Sequence, residues 1–469
     1  MNIPIHEMIQ AQREYFLSGA TRDIETRRQA LLKLLDAVQS REKDIEKALF
    51  SDLRKSAQET YFCETGILLG EIRYFLRHLH TFLRERHART SLAQFPAKCF
   101  TSPEPYGVVL IMAPWNYPLL LCLHPLAGAI AAGNCVVLKP SAYAPETSRL
   151  LHTLITEIFP PEYVCVVEGG RAENSALLKE KFDSIFFTGS PSVGREVMRA
   201  AAENLTPVTL ELGGKSPVLI DRTADLSLAA KRVAFGKILN AGQTCVAPDY
   251  VLLERGLKET FVAEYKKALD EFFPNGDMRD MPVIVNQKHF DRLLSLLPSE
   301  TPESDSPLSP RILFGGHTDP ASRFIEPTVL DHVRGDDPIM QEEIFGPILP
   351  LLEVESLSEA IAFVRDNPKP LALYLFTKDR AAEKLVLDQL SFGGGCVNDT
   401  VLHLATPYMG FGGVGNSGMG QYHGRKSIET FTHSRSILKR SGSRAFPEIR
   451  ARYHPYNEKA LRFLRRFLR

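Results

Sequence analysis

The sequence has no excess of either charge. Lys and Arg number 56, Asp and Glu number 56, and the formal net charge over 469 residues is zero. A balanced chain has no global field to draw it to nucleic acid or to an anionic membrane. It also lacks any CxxC pair or Cys/His cluster. The seven cysteines, Cys63, Cys99, Cys122, Cys135, Cys165, Cys245 and Cys396, are odd in number and scattered. That argues against a zinc site or a disulfide framework and fits reduced thiols in the cytoplasm. No basic stretch followed by an apolar core opens the chain, so no signal peptide is expected. The longest apolar region, 108–138, is broken by Pro114, Asn116, Pro118, His124 and Pro125. It reads as strand, turn, helix and strand rather than as a membrane span. No internal repeat is present.

What is there suits a soluble globular protein: 44% hydrophobic residues, 24% charged, and length enough for two or three domains. Residues 5–49 read as two polar helices. Residues 58–86 read as one long helix with Leu68, Ile72, Phe75, Leu79 and Phe82 on one face. Residues 88–104 read as a small separate ribbon. Strands are then expected at 106–112, 135–138, 163–167, 184–187 and 208–212, separated by helices near 119–132, 145–158, 172–181 and 192–203. Such βαβ repetition means a parallel, doubly wound sheet. After Gly213 the alternation resumes, with strands near 217–220, 250–254, 312–314, 348–353, 372–376 and 395–398, which suggests a second α/β domain. The stretch 298–310 is a polar, proline-rich loop, 410–420 is glycine-rich, and 427–439 reads as a late strand before a basic tail.

One short stretch organises the rest. Helical spacing of Ala229, Ala230, Val233, Ala234 and Ile238 runs up to it, and Gly242 is placed to end that helix. A strand begins at Tyr250. Cys245 therefore sits on a tight loop between rigid elements, as a nucleophile facing a cleft or, equally, as an ordinary buried cysteine. Other strand ends carry chemistry too. Glu211 closes the strand 208–212 among apolar neighbours, where burial raises a carboxyl pKa and suits a general base; the plain alternative is an ion pair, with Lys215 as partner. Asn116 follows the strand 106–112, where its amide suits an oxyanion or simply a turn. Lys139 ends another strand and suits a ribose or phosphate, or solvent. Gly189, Ser190, Pro191 and Gly194 open a helix, with Ser190 as its cap and Pro191 at its first position. That makes an anion site or a merely capped helix. The two literal GxGxxG matches, at 410–415 and 413–418, lead into no helix and are rejected as nucleotide fingerprints.

Taken together, these residues resemble the NAD(P)-dependent aldehyde dehydrogenases over almost the whole chain. The matching segments are 114–118, 133–141, 187–194, 210–217, 242–250, 342–347 and 411–420. The runs 242–250 and 412–420, and the short N-terminus, look most like the class 3 branch. The resemblance implies two Rossmann-type α/β domains: cofactor-binding over 1–87 and 105–212, catalytic over 213–426. It also implies a bridging, oligomerising β ribbon from 88–104 and 427–439, ahead of a basic tail, 440–469. It makes Cys245 the nucleophile and has the Asn116 amide and the Cys245 backbone N–H hold the thiohemiacetal oxyanion. Glu211 activates the water that hydrolyses the thioester. Lys139 meets the adenosine ribose, Gly189, Ser190 and Gly194 the pyrophosphate, Glu343 the nicotinamide ribose, and Phe345 and Trp115 the nicotinamide side. No metal is implied. The cofactor is NAD or NADP: many members read Lys-Pro-Ser-Glu where this chain reads Lys139, Pro140, Ser141, Ala142, so the carboxylate that would repel a 2′-phosphate is missing. Class 3 relatives are usually homodimers and favour medium-chain or aromatic aldehydes.

Two rivals remain open at this point. An acyl-phosphate or CoA-linked reductase of the same fold would not need Glu211 as base. A cysteine hydrolase without redox cofactor would want a local Cys/His signature, which is missing. Tyr61, Phe62 and Tyr117 are candidates for an apolar tunnel or for core. In the tail, 457–469, Leu461, Leu464 and Leu468 share one helical face with Phe463 and Phe467 nearby, and Arg462, Arg465, Arg466 and Arg469 take the other. Docking of that face on this chain or a partner copy is favoured over peripheral membrane contact, and the stretch is too short to span a bilayer.

Overall fold

The computed structural model describes residues 4–91, 94, 96–278, 280–298, 310–442 and 450–467. Two open sheets and one ribbon organise them. The first sheet runs in the spatial order Gly418–Met419, Val208–Leu212, Ser184–Gly189, Val108–Met112, Cys135–Lys139, Val164–Val166. All its neighbours are parallel except the pair formed by Gly418–Met419, which is antiparallel. Val108–Met112 and Cys135–Lys139 are buried at every position, as a sheet covered on both faces by helices requires. Strand order reverses between Val108–Met112 and Ser184–Gly189, and at such a reversal the carboxyl ends of the strands splay to leave a crevice.

The second sheet runs Arg311–Phe314, Thr328–Asp331, Ile348–Val354, Tyr250–Glu254, Pro217–Ile220, Ala372–Phe376, Gly394–Val397. It is parallel apart from the first pair. The ribbon has three antiparallel strands, Arg86–Ala88, Ala97–Pro105 and Thr432–Arg440. The region 108–138 forms strand, helix and strand, with the helix Leu120–Ala132 wholly buried, and no helix among the described residues is long and apolar enough to cross a membrane.

Some expectations change. The first 53 residues hold three helices, Ile5–Leu17, Ile24–Ser40 and Glu42–Leu53, not two. The first break follows Gly19 at φ 81° and ends at Asp23, whose carboxylate caps the next helix by accepting the Thr26 N–H. The long helix expected at 58–86 is interrupted by a π turn over Tyr61–Thr65 before Gly66–Leu83; its expected apolar face is buried. Residues Arg425–Thr430 are helical, so the late strand starts at Thr432 rather than 427. Gly242 does not directly end the helix before Cys245. That helix, Leu226–Ile238, stops four residues earlier, and the chain then turns through Asn240 and Ala241 at φ 51° and 53°. Most of the proline-rich loop (299–309) lies outside the described residues, as do Leu468 and Arg469.

Candidate active site

The crevice at the strand reversal is a cleft of about 970 Å³ between the two sheets. The strand Val108–Met112 leads to Trp115 and Asn116, Ser184–Gly189 delivers Gly189 and Ser190, and Val208–Leu212 carries Glu211. The other half supplies Cys245, Glu343 and Phe345. All eight of these residues line the cleft.

Cys245 is half-buried. Burial pushes its thiol above the ordinary range, and the nearby Glu343 and Glu211 carboxyls add to the rise. The backbone N–H groups of Cys245 and Val246 act the other way. Cys63, Cys122, Cys135 and Cys165 are core residues by contrast, and burial holds all four thiols high.

Glu211 is 2% exposed, and neither carboxylate oxygen has a hydrogen-bond partner. Burial alone drives its pKa well above the usual carboxylate range, because an unpaired charge in a dry site is disfavoured. Lys215 does not pair with it. The Lys215 ammonium is instead bound to Asp249 and donates to the carbonyls of Ile339 (2.9 Å) and Glu342 (3.0 Å). Asp249 in turn accepts the Ile344 N–H at 2.9 Å. This clamp, which sequence reasoning missed, ties the end of the Cys245 loop to the segment bearing Glu343 and Phe345.

Asn116 is buried and donates from Nδ2 to the Gln243 carbonyl at 3.0 Å, two residues before Cys245. An amide nitrogen carries two hydrogens, so one is left over. Tyr117 is not on the cleft lining; it is core, with its hydroxyl 2.5 Å from Thr244 Oγ1. Tyr61 and Phe62 are each 48% exposed.

Ser190 caps the helix Pro191–Ala202, accepting the Val193 N–H, and lies 3.0 Å from the Ser192 hydroxyl. Gly194 is off the cleft. Its missing side chain lets the helix sit on the sheet, since a Cβ there would come within 2.7 Å of Leu212 Cδ2. Lys139 is also off the lining: its buried ammonium donates to the carbonyls of Pro140 (2.7 Å) and Gly169 (2.6 Å). Glu343 tucks under Gly213, where a Cβ would lie 2.0 Å from Glu343 Oε2. Burial, then the Asp249 charge, raises its pKa, against the Gly214 N–H. Phe345 holds φ 51°, a conformation bulky side chains avoid. Its ring meets Trp115 edge-on at 5.3 Å, and His289 flanks Trp115 at 5.0 Å.

These residues fit a nicotinamide dinucleotide. A capped helix N-terminus is set up for a pyrophosphate. The buried Thr188 hydroxyl on the cleft wall lacks a partner, and Arg195, Lys288 and Lys369 put cations on the lining.

Known proteins agree. The aldehyde dehydrogenase family matches residues 4–437. The chain is 48% identical to the 4,4'-diaponeurosporen-aldehyde dehydrogenase of Staphylococcus aureus (strain NCTC 8325 / PS 47), over 94% of this chain and 95% of that one. It is 42% identical to aldehyde dehydrogenase family 3 member A2 of Rattus norvegicus, over 99% and 94%. It is also 42% identical to a protein of Canis lupus familiaris named aldehyde dehydrogenase, dimeric NADP-preferring, over 93% and 94%. A solved structure of substrate-bound Staphylococcus aureus AldH superposes with a TM-score of 0.94 at 46% identity, covering 100% of each chain. The chain belongs to the aldehyde dehydrogenase family and is an NAD(P)-dependent enzyme of its class 3-like branch.

Proposed function

We propose that the enzyme oxidises apolar aldehydes to carboxylic acids through a covalent intermediate on Cys245. The observation that carries this is the meeting, in one cleft, of the Cys245 thiol, the Asn116 amide and an unpaired, buried carboxyl. Cys245 Sγ, its proton passed to water, adds to the aldehyde carbon as the C=O π pair moves onto oxygen. The oxygen that becomes anionic is received by the free hydrogen of Asn116 Nδ2 and by the Cys245 backbone N–H, donors fixed before the charge appears. When bound, the nicotinamide supplies the hydride acceptor. The resulting thioester is cleaved by water whose proton passes to Glu211, a carboxyl whose proton affinity is raised by burial. Glu343 and Phe345 hold the nicotinamide half of the cofactor, Trp115 packs beside Phe345, and Gly189 and Ser190 face the pyrophosphate. Gly194 supports that turn from behind, and Lys139 reaches the adenosine ribose with its third ammonium hydrogen.

Both NAD and NADP serve, because the exposed Ala142 offers no carboxylate against a 2′-phosphate. A medium-chain aliphatic or aromatic substrate is favoured by the lipophilic aldehyde in the Staphylococcus aureus relative's name; the exposed Tyr61 and Phe62 rings lie off the cleft lining. The dog relative's name supports a homodimer, and the scattered free cysteines support a cytoplasmic setting. The domains divide as the two sheets and the ribbon suggest, with the ribbon as the oligomerising element. A panel of aliphatic and aromatic aldehydes, followed by reduced-cofactor absorbance with each cofactor, tests this reading. Turnover should rise with chain length into the medium range. Selectivity for small polar aldehydes would contradict it.

A further inference from the structure

Beneath the cleft lies a polar network built on Lys55 and Glu64, neither of which lines it. Lys55 and Glu64 are both 0% exposed, with the ammonium 2.6 Å from Glu64 Oε1. Lys55 Nζ also donates to the Asn116 carbonyl at 2.8 Å and sits 4.1 Å above the Tyr117 ring. Glu64 Oε2 accepts the N–H groups of Leu119 and Leu120, each at 3.0 Å. The carboxylate thus anchors the start of the helix that follows Asn116, where negative charge is favoured.

The same Asn116 carbonyl accepts a second hydrogen bond, from Asn240 Nδ2 at 2.8 Å. Asn240 Nδ2 also donates to the Gln243 carbonyl at 3.0 Å, and the Asn240 N–H donates to Glu59 Oε1 at 2.7 Å. On its far side Gln243 donates to the Val283 carbonyl at 3.1 Å and accepts the Val285 N–H at 3.0 Å. The oxyanion donor and the cysteine loop are therefore hung from shared atoms. The left-handed turn at Asn240 is held from the N-terminal segment 55–64, directly by Glu59 and, through the shared Asn116 carbonyl, by Lys55.

We propose that Lys55, paired with Glu64, is a positioning residue for the reaction: it fixes the Asn116 backbone and, through the shared carbonyl, the Asn240–Gln243 turn that sets Cys245. The inference rests on the reading of Cys245 and Asn116 given above. Apolar side chains of the same volume commonly stabilise a core as well as a buried ion pair does. They cannot hold a carbonyl in place from below. A displacement of about 1 Å between reacting groups costs about 10²-fold in rate, so the network acts on kcat.

Three variants, Lys55→Met, Lys55→Met/Glu64→Gln and Lys55→Arg, are compared by kcat, KM, cofactor binding and thermal melting, with Cys245→Ala in parallel. Lys55→Met leaves the Glu64 charge stranded and lowers both stability and kcat. The double variant removes the stranded charge, so melting recovers while kcat stays about 10²-fold down, with KM and cofactor affinity within about twofold. Lys55→Arg keeps a charged donor and regains part of kcat. If kcat follows melting temperature through all three variants, the pair is structural only and the proposal is overturned. Turnover by Cys245→Ala would instead sink the nucleophile assignment. An inactive Cys245→Ala beside a double variant of near wild-type kcat would sink this inference alone.

Discussion

At the scale of single residues the site is governed by desolvation. Glu211 has apolar surroundings and no partner for either oxygen, and burial is the cause of its raised pKa. The raised folded-state value means that the folded protein holds the proton to higher pH than the unfolded chain does. The stability this brings is present below the ordinary carboxyl range and is lost as pH rises towards the folded value. Glu211→Gln cannot lose it. The variant should therefore melt higher than wild type by more at about pH 8 than at about pH 5, a comparison thermal scanning makes directly; an equal difference at both would mean that folding does not raise the Glu211 pKa. The same change should slow steady-state turnover about 10²-fold or more while leaving a rapid first burst of reduced cofactor. An unchanged steady-state rate would remove Glu211 from the base role.

At the scale of elements, the useful residues lie where strands stop and the chain must turn. The strands at 208–212, 217–220, 250–254 and 372–376 are legible to the residue, because each is a short apolar run bounded by Gly, Pro or charge. The break at Gly19 and Asp23 carries cap and glycine signals. The break at Arg41 carries none, and the chain there turns on φ −104° at an ordinary residue. Glu211 and Asn116 are legible as polar groups at strand ends and Cys245 as a cysteine on a tight loop, whereas Trp115, Glu343 and Phe345 stand out only through the family resemblance. The Lys55 network is not legible: Lys55 and Glu64 look like solvent-facing charges in sequence, and only tertiary packing makes them buried partners of Asn116. The short strand Gly418–Met419 was likewise hidden, since its glycines owe their place to close approach; a Cβ on Gly418 would lie 2.1 Å from the Leu210 carbonyl oxygen. The turn after Lys139 carries a prediction. Ala142→Glu brings a carboxylate back beside the adenosine ribose and should move selectivity towards NAD by about tenfold, through like-charge repulsion of a 2′-phosphate. Equal NAD/NADP ratios of kcat/KM in the two forms would assign the choice to pocket shape.

At the scale of the whole molecule, two sheets face each other across the cleft and the ribbon lies apart from both. The tail ends in the helix Glu458–Phe467. Leu461 and Phe463 on its apolar side are 48% and 41% exposed, and Lys459, Arg462, Arg465 and Arg466 on its other side are exposed too. Leu461 stays 48% exposed, and docking of this face on this chain or a partner copy is the expectation set against membrane contact. Deleting 457–469 should weaken the dimer in light scattering and lower the melting temperature, with no change in co-sedimentation with anionic vesicles. Lost vesicle binding at unchanged stability would contradict docking.

In the proposed reaction one thiol, Cys245, carries the acyl group. Glu211→Gln mixed with aldehyde and oxidised cofactor, quenched in acid and digested, should yield the acyl mass on the peptide containing Cys245 and on none of those containing Cys63, Cys122, Cys135 or Cys165. No adduct, or an adduct on another cysteine, would contradict the account.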